Sequence, residues 1–169
     1  MKTQSLRLLT ILALGLTLAA CGKPKPAAGA PSQAATQSTP AAPAESAPEP
    51  MPRSSSAEGA SVAILSPKDG DVVSSPVKVV FDLKGMTLAP AGDPMPNSGH
   101  HHLLVDVAMP DLGQPIPKDA QHLHFGKAQT EAEITLPPGS HTLQLVLGDT
   151  NHVAHNPPVI SAPITITVQ

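Results

Sequence analysis

Between residues 22 and 60 the chain holds almost no large apolar side chain, only Ala, Pro, Ser, Gln and Gly with a few charges. Such a segment cannot bury enough apolar surface to offset the entropy lost on ordering it. A core must therefore come from residues 61–169. The prolines in Pro40-Ala41-Ala42-Pro43 and Pro48-Glu49-Pro50-Met51-Pro52 favour extended, polyproline-like backbone. Residues 21–60 are expected to be a disordered tether with a stretched reach on the order of 100 Å, at about 3 Å per residue.

The segment before the tether reads as an address. Residues 1–7 are basic, with Lys2 and Arg7, and residues 8–20 are apolar with small residues at the end. That stretch is shorter than the ~20 residues a membrane helix needs, which favours a cleaved signal peptide over 1–20. The sequence Leu18-Ala19-Ala20-Cys21 resembles the lipobox of bacterial lipoproteins. The resemblance implies acyl chains on Cys21 and stable membrane anchoring through them. Gly22, where an Asp would signal inner-membrane retention, implies passage to the outer membrane, with the domain facing the periplasm.

Cys21 is the only cysteine, so the domain has no internal disulfide and must be stable through packing. Residues 61–169 carry five Lys, no Arg and ten acidic residues, which leaves a formal charge of −5 and no basic footprint for nucleic acid. The chain has no Trp or Tyr, and only Phe81 and Phe125 as phenyl rings, so the stacking platforms of single-stranded nucleic-acid and sugar sites are missing too.

Within 61–169 the apolar residues alternate. Val77, Val79, Phe81 and Leu83 share one face of an extended segment, with Lys78 and Asp82 on the other. Leu103, Val105 and Val107 are in phase, as are Ala132, Ile134 and Leu136, and Leu143, Leu145 and Leu147. Pro/Gly turns separate these runs. Strands are predicted over 62–65, 77–84, 101–108, 121–125, 130–136, 141–148 and 163–168, with no 3.6-residue period anywhere among them. The fold class is therefore all-β: a small immunoglobulin-like β-sandwich of about seven strands, with a small β-barrel as the alternative.

Four stretches resemble a bacterial family, domain of unknown function 4399. They are His100-His101-His102-Leu103-Leu104-Val105-Asp106; His122-Leu123-His124-Phe125-Gly126; Pro138-Gly139-Ser140-His141-Thr142-Leu143; and Gly148 through Pro158, with His152 and His155. The resemblance covers roughly residues 61–169. It implies a fold and an envelope location, and no activity.

All eight histidines lie between residues 100 and 155. On a sandwich, the loops flanking 101–108, 121–125 and 141–148 emerge at one end. His100, His101, His102, His122, His124, His152 and His155 are thus expected to meet at a single tip, with His141 at the other. His100 and His102 share a face of one strand, and His122 and His124 share a face of another. Imidazole suits copper and zinc. The predicted ligands are His100, His102, His122, His124, His152 and His155, with His101 and Asp149 as additional or orienting groups. The lack of a free thiolate excludes blue-copper centres, zinc fingers and iron–sulfur clusters. Met86 and Met95 lie in the loop beside the predicted tip, where a thioether could join a Cu(I) shell; Met109 lies in the next loop. The plainer role of a strand-end histidine is to bond main-chain carbonyls, which is expected of His141, and a histidine cluster can also sense pH near 6.5.

No nucleophile elbow, phosphate loop or zincin helix motif is present, so an enzyme is not expected. A copper site could do redox chemistry, as in the sandwich-fold superoxide dismutases, but the stabilising disulfide of those enzymes is absent here. Two other functions lead. One is a membrane-anchored lipoprotein that binds copper or zinc for buffering or delivery. The other is an envelope interaction module that docks a protein partner without a metal.

Overall fold

The computed structural model describes residues 48–169. The expected signal peptide, Cys21 and the tether up to residue 47 lie outside the described residues.

Among the described residues nine strands form in chain order: β1 (Ser61–Ser66), β2 (Val72–Val73), β3 (Val77–Lys84), β4 (Thr87–Leu88), β5 (Ser98–Val105), β6 (His122–Phe125), β7 (Glu131–Ile134), β8 (Gly139–Gly148) and β9 (Ile164–Val168). They make two sheets, one ordered β1-β3-β7 and the other β2-β9-β8-β5-β4, with β6 also paired to β5. β2 and β4 are two-residue parallel additions that alternation could not signal. The other seven are the strands of an immunoglobulin-like sandwich.

The period-two pattern sets the core. Val79, Phe81, Leu103, Val105, Leu143, Leu145, Leu147 and Ile166 pack between the sheets, with Phe81 against Phe125 at 4.9 Å between ring centroids. Each such side chain contributes about 1.5–3 kcal/mol when fully buried, which is how a domain without a disulfide holds together.

A smaller cluster lies on the outer face of the larger sheet. Leu104 and Val146 pack there with Ile116 and Ala154, and Val107, Met109, Leu112 and Ile160 surround them. The loops 106–121 and 149–163 therefore lie on this face, and all eight residues of β5 are buried. Pro115 bridges to Val153, and the Ile116 N–H donates to the His152 carbonyl at 2.8 Å.

Two expectations are corrected. The third strand spans Ser98–Val105 rather than 101–108. It starts early because Ser98 and Gly99 pair with Thr87 and Leu88, and it ends at Asp106, whose φ of 55° breaks the extended backbone. The tether boundary at residue 60 is the second. Residues 48–60 lie on the domain: Met51 donates to the Gly113 carbonyl, Ser55 bridges to Asn156, and Ala60 packs against the core. Their low hydrophobicity misled, because polar and main-chain hydrogen bonds hold most of this segment.

Candidate metal centre

Successive residues of β5 alternate between the two faces of its sheet. His101 pairs across the strand with Leu147 and joins Leu103 and Val105 on the inner face. His100 and His102 turn outward with Leu104. His100 lies opposite Gly148, and His102 lies opposite Val146 on one side and His124 of β6 on the other. Strand pairing thus places three imidazoles side by side.

One nitrogen of each of His100, His102 and His124 lies within 4.8 Å of the other two. The His100 and His102 Nε2 atoms are 3.0 Å apart. Two nitrogens that share an ion at about 2.0 Å would sit about 2.8–3.3 Å apart in square or tetrahedral geometry. His152, held in a turn at φ 65°, adds a fourth ring. Its centroid is 4.9 Å from that of His100, 4.8 Å from that of His124 and 5.9 Å from that of His102. His100 and His102 are fully buried, while His124 and His152 are partly exposed, so the cluster opens toward solvent on their side.

The Nε2 atoms of His100 and His102 hydrogen-bond to each other, one donating and one accepting. Among the described residues, His102 Nδ1 and His124 Nε2 are buried without a hydrogen bond. Burial first, and then the neighbouring imidazoles, hold His102 at a pKa of about 2 and His100 at about 4. The pKa of His124 is lowered by the same two causes in the same order. At neutral pH His100 and His102 are thus uncharged, which is the form a metal takes.

Glycines make the room. A Cβ on Gly148 would sit 2.8 Å from His102 Nε2, and one on Gly126 would sit 2.4 Å from His124 Cε1. A side chain at either position would force the ring or the strand to move, so glycine suits the cluster at both.

The remaining predicted residues lie elsewhere. His155 is buried, but its Nδ1 faces the Leu147 carbonyl at 3.2 Å and its Nε2 faces the Ser98 carbonyl at 3.1 Å; it ties β5 to the loop and is no ligand. His122 continues the face of His124, yet its Nδ1 pairs with Asp119 at 2.9 Å. His101 is in the core, 5.2 Å from Phe81, with neither nitrogen bonded. His141 bonds Asp106 at 2.6 Å and the Pro137 carbonyl at 2.9 Å, the structural role expected of it. Met86 packs against the core, Met95 is exposed and Met109 joins the outer cluster. The seven histidines therefore do not meet at a tip. Four gather on a sheet face, because β5 begins three residues earlier than the pattern suggested.

Asp149 spends both carboxylate oxygens on protein donors. One carboxylate oxygen accepts from the N–H groups of Asn151 and Val153, and the other accepts from the N–H and hydroxyl of Ser54. Burial would raise its pKa, but these donors outweigh it and hold the group below the usual carboxylate range. The charge also acts on His100, favouring a cation nearby.

A family model described as "Domain of unknown function (DUF4399)" matches residues 79–169, a span that contains all eight histidines and both glycines of the cluster. No curated protein matches. Among solved structures the chain is similar to one titled "Structures of Clostridium thermocellum CbhA fibronectin(III)-like modules", at 15% identity and a TM-score of 0.36. That alignment covers 64% of this chain and 45% of the other, so the chain spans less than half of that structure's length.

Proposed function

The chain belongs to the DUF4399 family, and we propose that its domain binds one transition-metal ion, copper or zinc, through His100, His102, His124 and His152. One observation carries this reading: one nitrogen of each of His100, His102 and His124 lies within 4.8 Å of the other two, the His152 ring stands beside them, and His124 Nε2 is buried without a protein partner. Leaving His124 Nε2 unpaired costs about 1–3 kcal/mol, a cost a bound ion removes. An all-imidazole shell with no thiolate or thioether fits Cu²⁺ and Zn²⁺. The protein acts as a non-catalytic metal buffer or delivery module at the bacterial cell envelope, anchored by lipid on Cys21 with the domain in the periplasm.

Calorimetric titration of the full chain with Cu²⁺ and Zn²⁺, paired with thermal melting, tests the site. One ion per chain should bind and raise the melting temperature by mass action. No heat and no shift at micromolar metal and neutral pH would defeat the reading and leave a tethered interaction module. Labelled palmitate should be incorporated by cells expressing the chain and lost with Cys21→Ser.

A further inference from the structure

The segment over residues 48–56 bonds to both loops that lie on the outer face of the larger sheet. The Arg53 guanidinium donates through Nε to the Ala154 carbonyl at 2.8 Å and through Nη2 to the His155 carbonyl. Ser54 donates its N–H and its hydroxyl to Asp149 at 3.2 and 2.8 Å. The Asn156 N–H donates to the Ser54 carbonyl, and the Ser56 N–H donates to the Asn156 carbonyl. Met51 donates to the Gly113 carbonyl, and the Gln114 amide reaches the Pro48 and Glu49 carbonyls.

These bonds converge on one ring. Asp149 is the hub of the turn 149–153: its carboxylate holds the N–H groups of Asn151 and Val153, and its carbonyl accepts from the His152 N–H at 2.9 Å. His152 sits in that turn in left-handed backbone, a conformation costly for a β-carbon residue unless its surroundings impose it. β5 and β6 fix His100, His102 and His124 by strand pairing, whereas His152 has only loop bonds. Position in the fourth ring therefore depends on Ser54 and Arg53, which lie more than ninety residues earlier in the chain.

We infer that Arg53 and Ser54 are positioning residues of the histidine site, so that the strap through which the N-terminal extension enters the domain sets how firmly His152 closes the metal shell. This inference rests on the metal-binding reading above. It assigns the 51–56 segment to the site rather than to the spacer.

The experiment uses Co²⁺, whose visible absorption reports coordination number, with the full chain and the variants Ser54→Ala, Arg53→Ala, Ser54→Thr and His152→Ala. Ser54→Ala and Arg53→Ala should each weaken Co²⁺ binding about 10-fold and shift the spectrum toward that of His152→Ala. Ser54→Thr keeps the hydroxyl and should restore both. In the His152→Ala background, Ser54→Ala should cost no further affinity, since the ring it positions is gone. Amide exchange over 149–155 should quicken in metal-free Ser54→Ala, a readout that needs no ion. Wild-type affinity and spectrum in Ser54→Ala, or an equal loss with and without His152, would overturn the inference while leaving the metal site standing. A wild-type chain that takes up no Co²⁺, Cu²⁺ or Zn²⁺ would remove the metal-binding reading and this inference with it.

Discussion

Strand β5 buries three consecutive histidines, and its two faces treat them differently. On the inner face His101 stands among Leu103, Val105, Leu147 and Phe81, with no partner for either nitrogen. On the outer face His100 and His102 stand beside His124, one nitrogen of each within 4.8 Å of the others, and the His152 ring lies 4.9 Å from that of His100. Burial pushes His101 to a pKa of about 4, as it does His100. Desolvation alone therefore does not mark a site. Convergence does: the outer rings have one another and an open side, whereas the inner ring has only hydrocarbon and a phenyl group.

Breaking the outer group should have the largest effect. His102→Ala removes the most buried ring and should weaken Cu²⁺ or Zn²⁺ binding more than about 100-fold, beyond the usual cost of losing a supporting group. His101→Leu should leave the affinity within about 3-fold, because its ring faces the other way. Calorimetric titration of both variants checks the contrast; equal losses would erase the distinction between the faces.

Gly148→Ala comes next. Its added methyl meets the His102 ring, so the sheet must shift or the ring must turn. Overpacking of this kind costs about 1–3 kcal/mol. Thermal melting should show that loss, with weaker metal binding as well. Full retention of both would mean that His102 does not occupy the position described.

His101 offers a gain instead. A histidine whose folded pKa lies below its unfolded value of about 6.5 penalises the native state increasingly as pH falls from 6.5 toward 4. Between pH 6.5 and 5 the loss is about 1.6 kcal/mol at one pKa unit per 1.36 kcal/mol. His101→Leu should remove it, so urea melts of the metal-free variant should lose less stability across that range than wild type. Identical pH dependence in both would contradict the placement of His101 in the core.

The smallest effect belongs to His141. Asp106 and the Pro137 carbonyl raise its pKa. The stabilisation is fully present below about pH 6.5 and fades as pH rises through the folded pKa. Asp106→Asn keeps the left-handed backbone and should cost about 1 kcal/mol below pH 6.5, and less at pH 8. Urea melts at the two pH values measure it, and metal affinity should not change.

Much of this was legible from alternation alone. The phase of Leu103 and Val105 assigned His101 to one face and His100 with His102 to the other, and the spacing of His122 and His124 placed them together on a neighbouring strand. The start of β5 was not legible, since Gly99 weakens any strand signal; the structure keeps it there because a Cβ would lie 2.6 Å from the Gly148 carbonyl. The covering loops were also hidden. Ile116, Val153 and Ala154 are scattered among prolines and polar residues with no period, and they find their place only through a long-range partner. One hint was available: Leu104 and Val146 point to the face expected to meet solvent, and an apolar pair there signals that something covers it. Residues 51–56 carried no such hint, because their contacts are hydrogen bonds that composition does not reveal.

The most direct test is X-ray absorption at the metal edge of the Cu²⁺- or Zn²⁺-loaded full chain. The account predicts a shell at about 2.0 Å with the multiple-scattering pattern of three to four imidazoles and no sulfur. A shell of oxygens with at most one imidazole, or one left unchanged by His102→Ala, would contradict it.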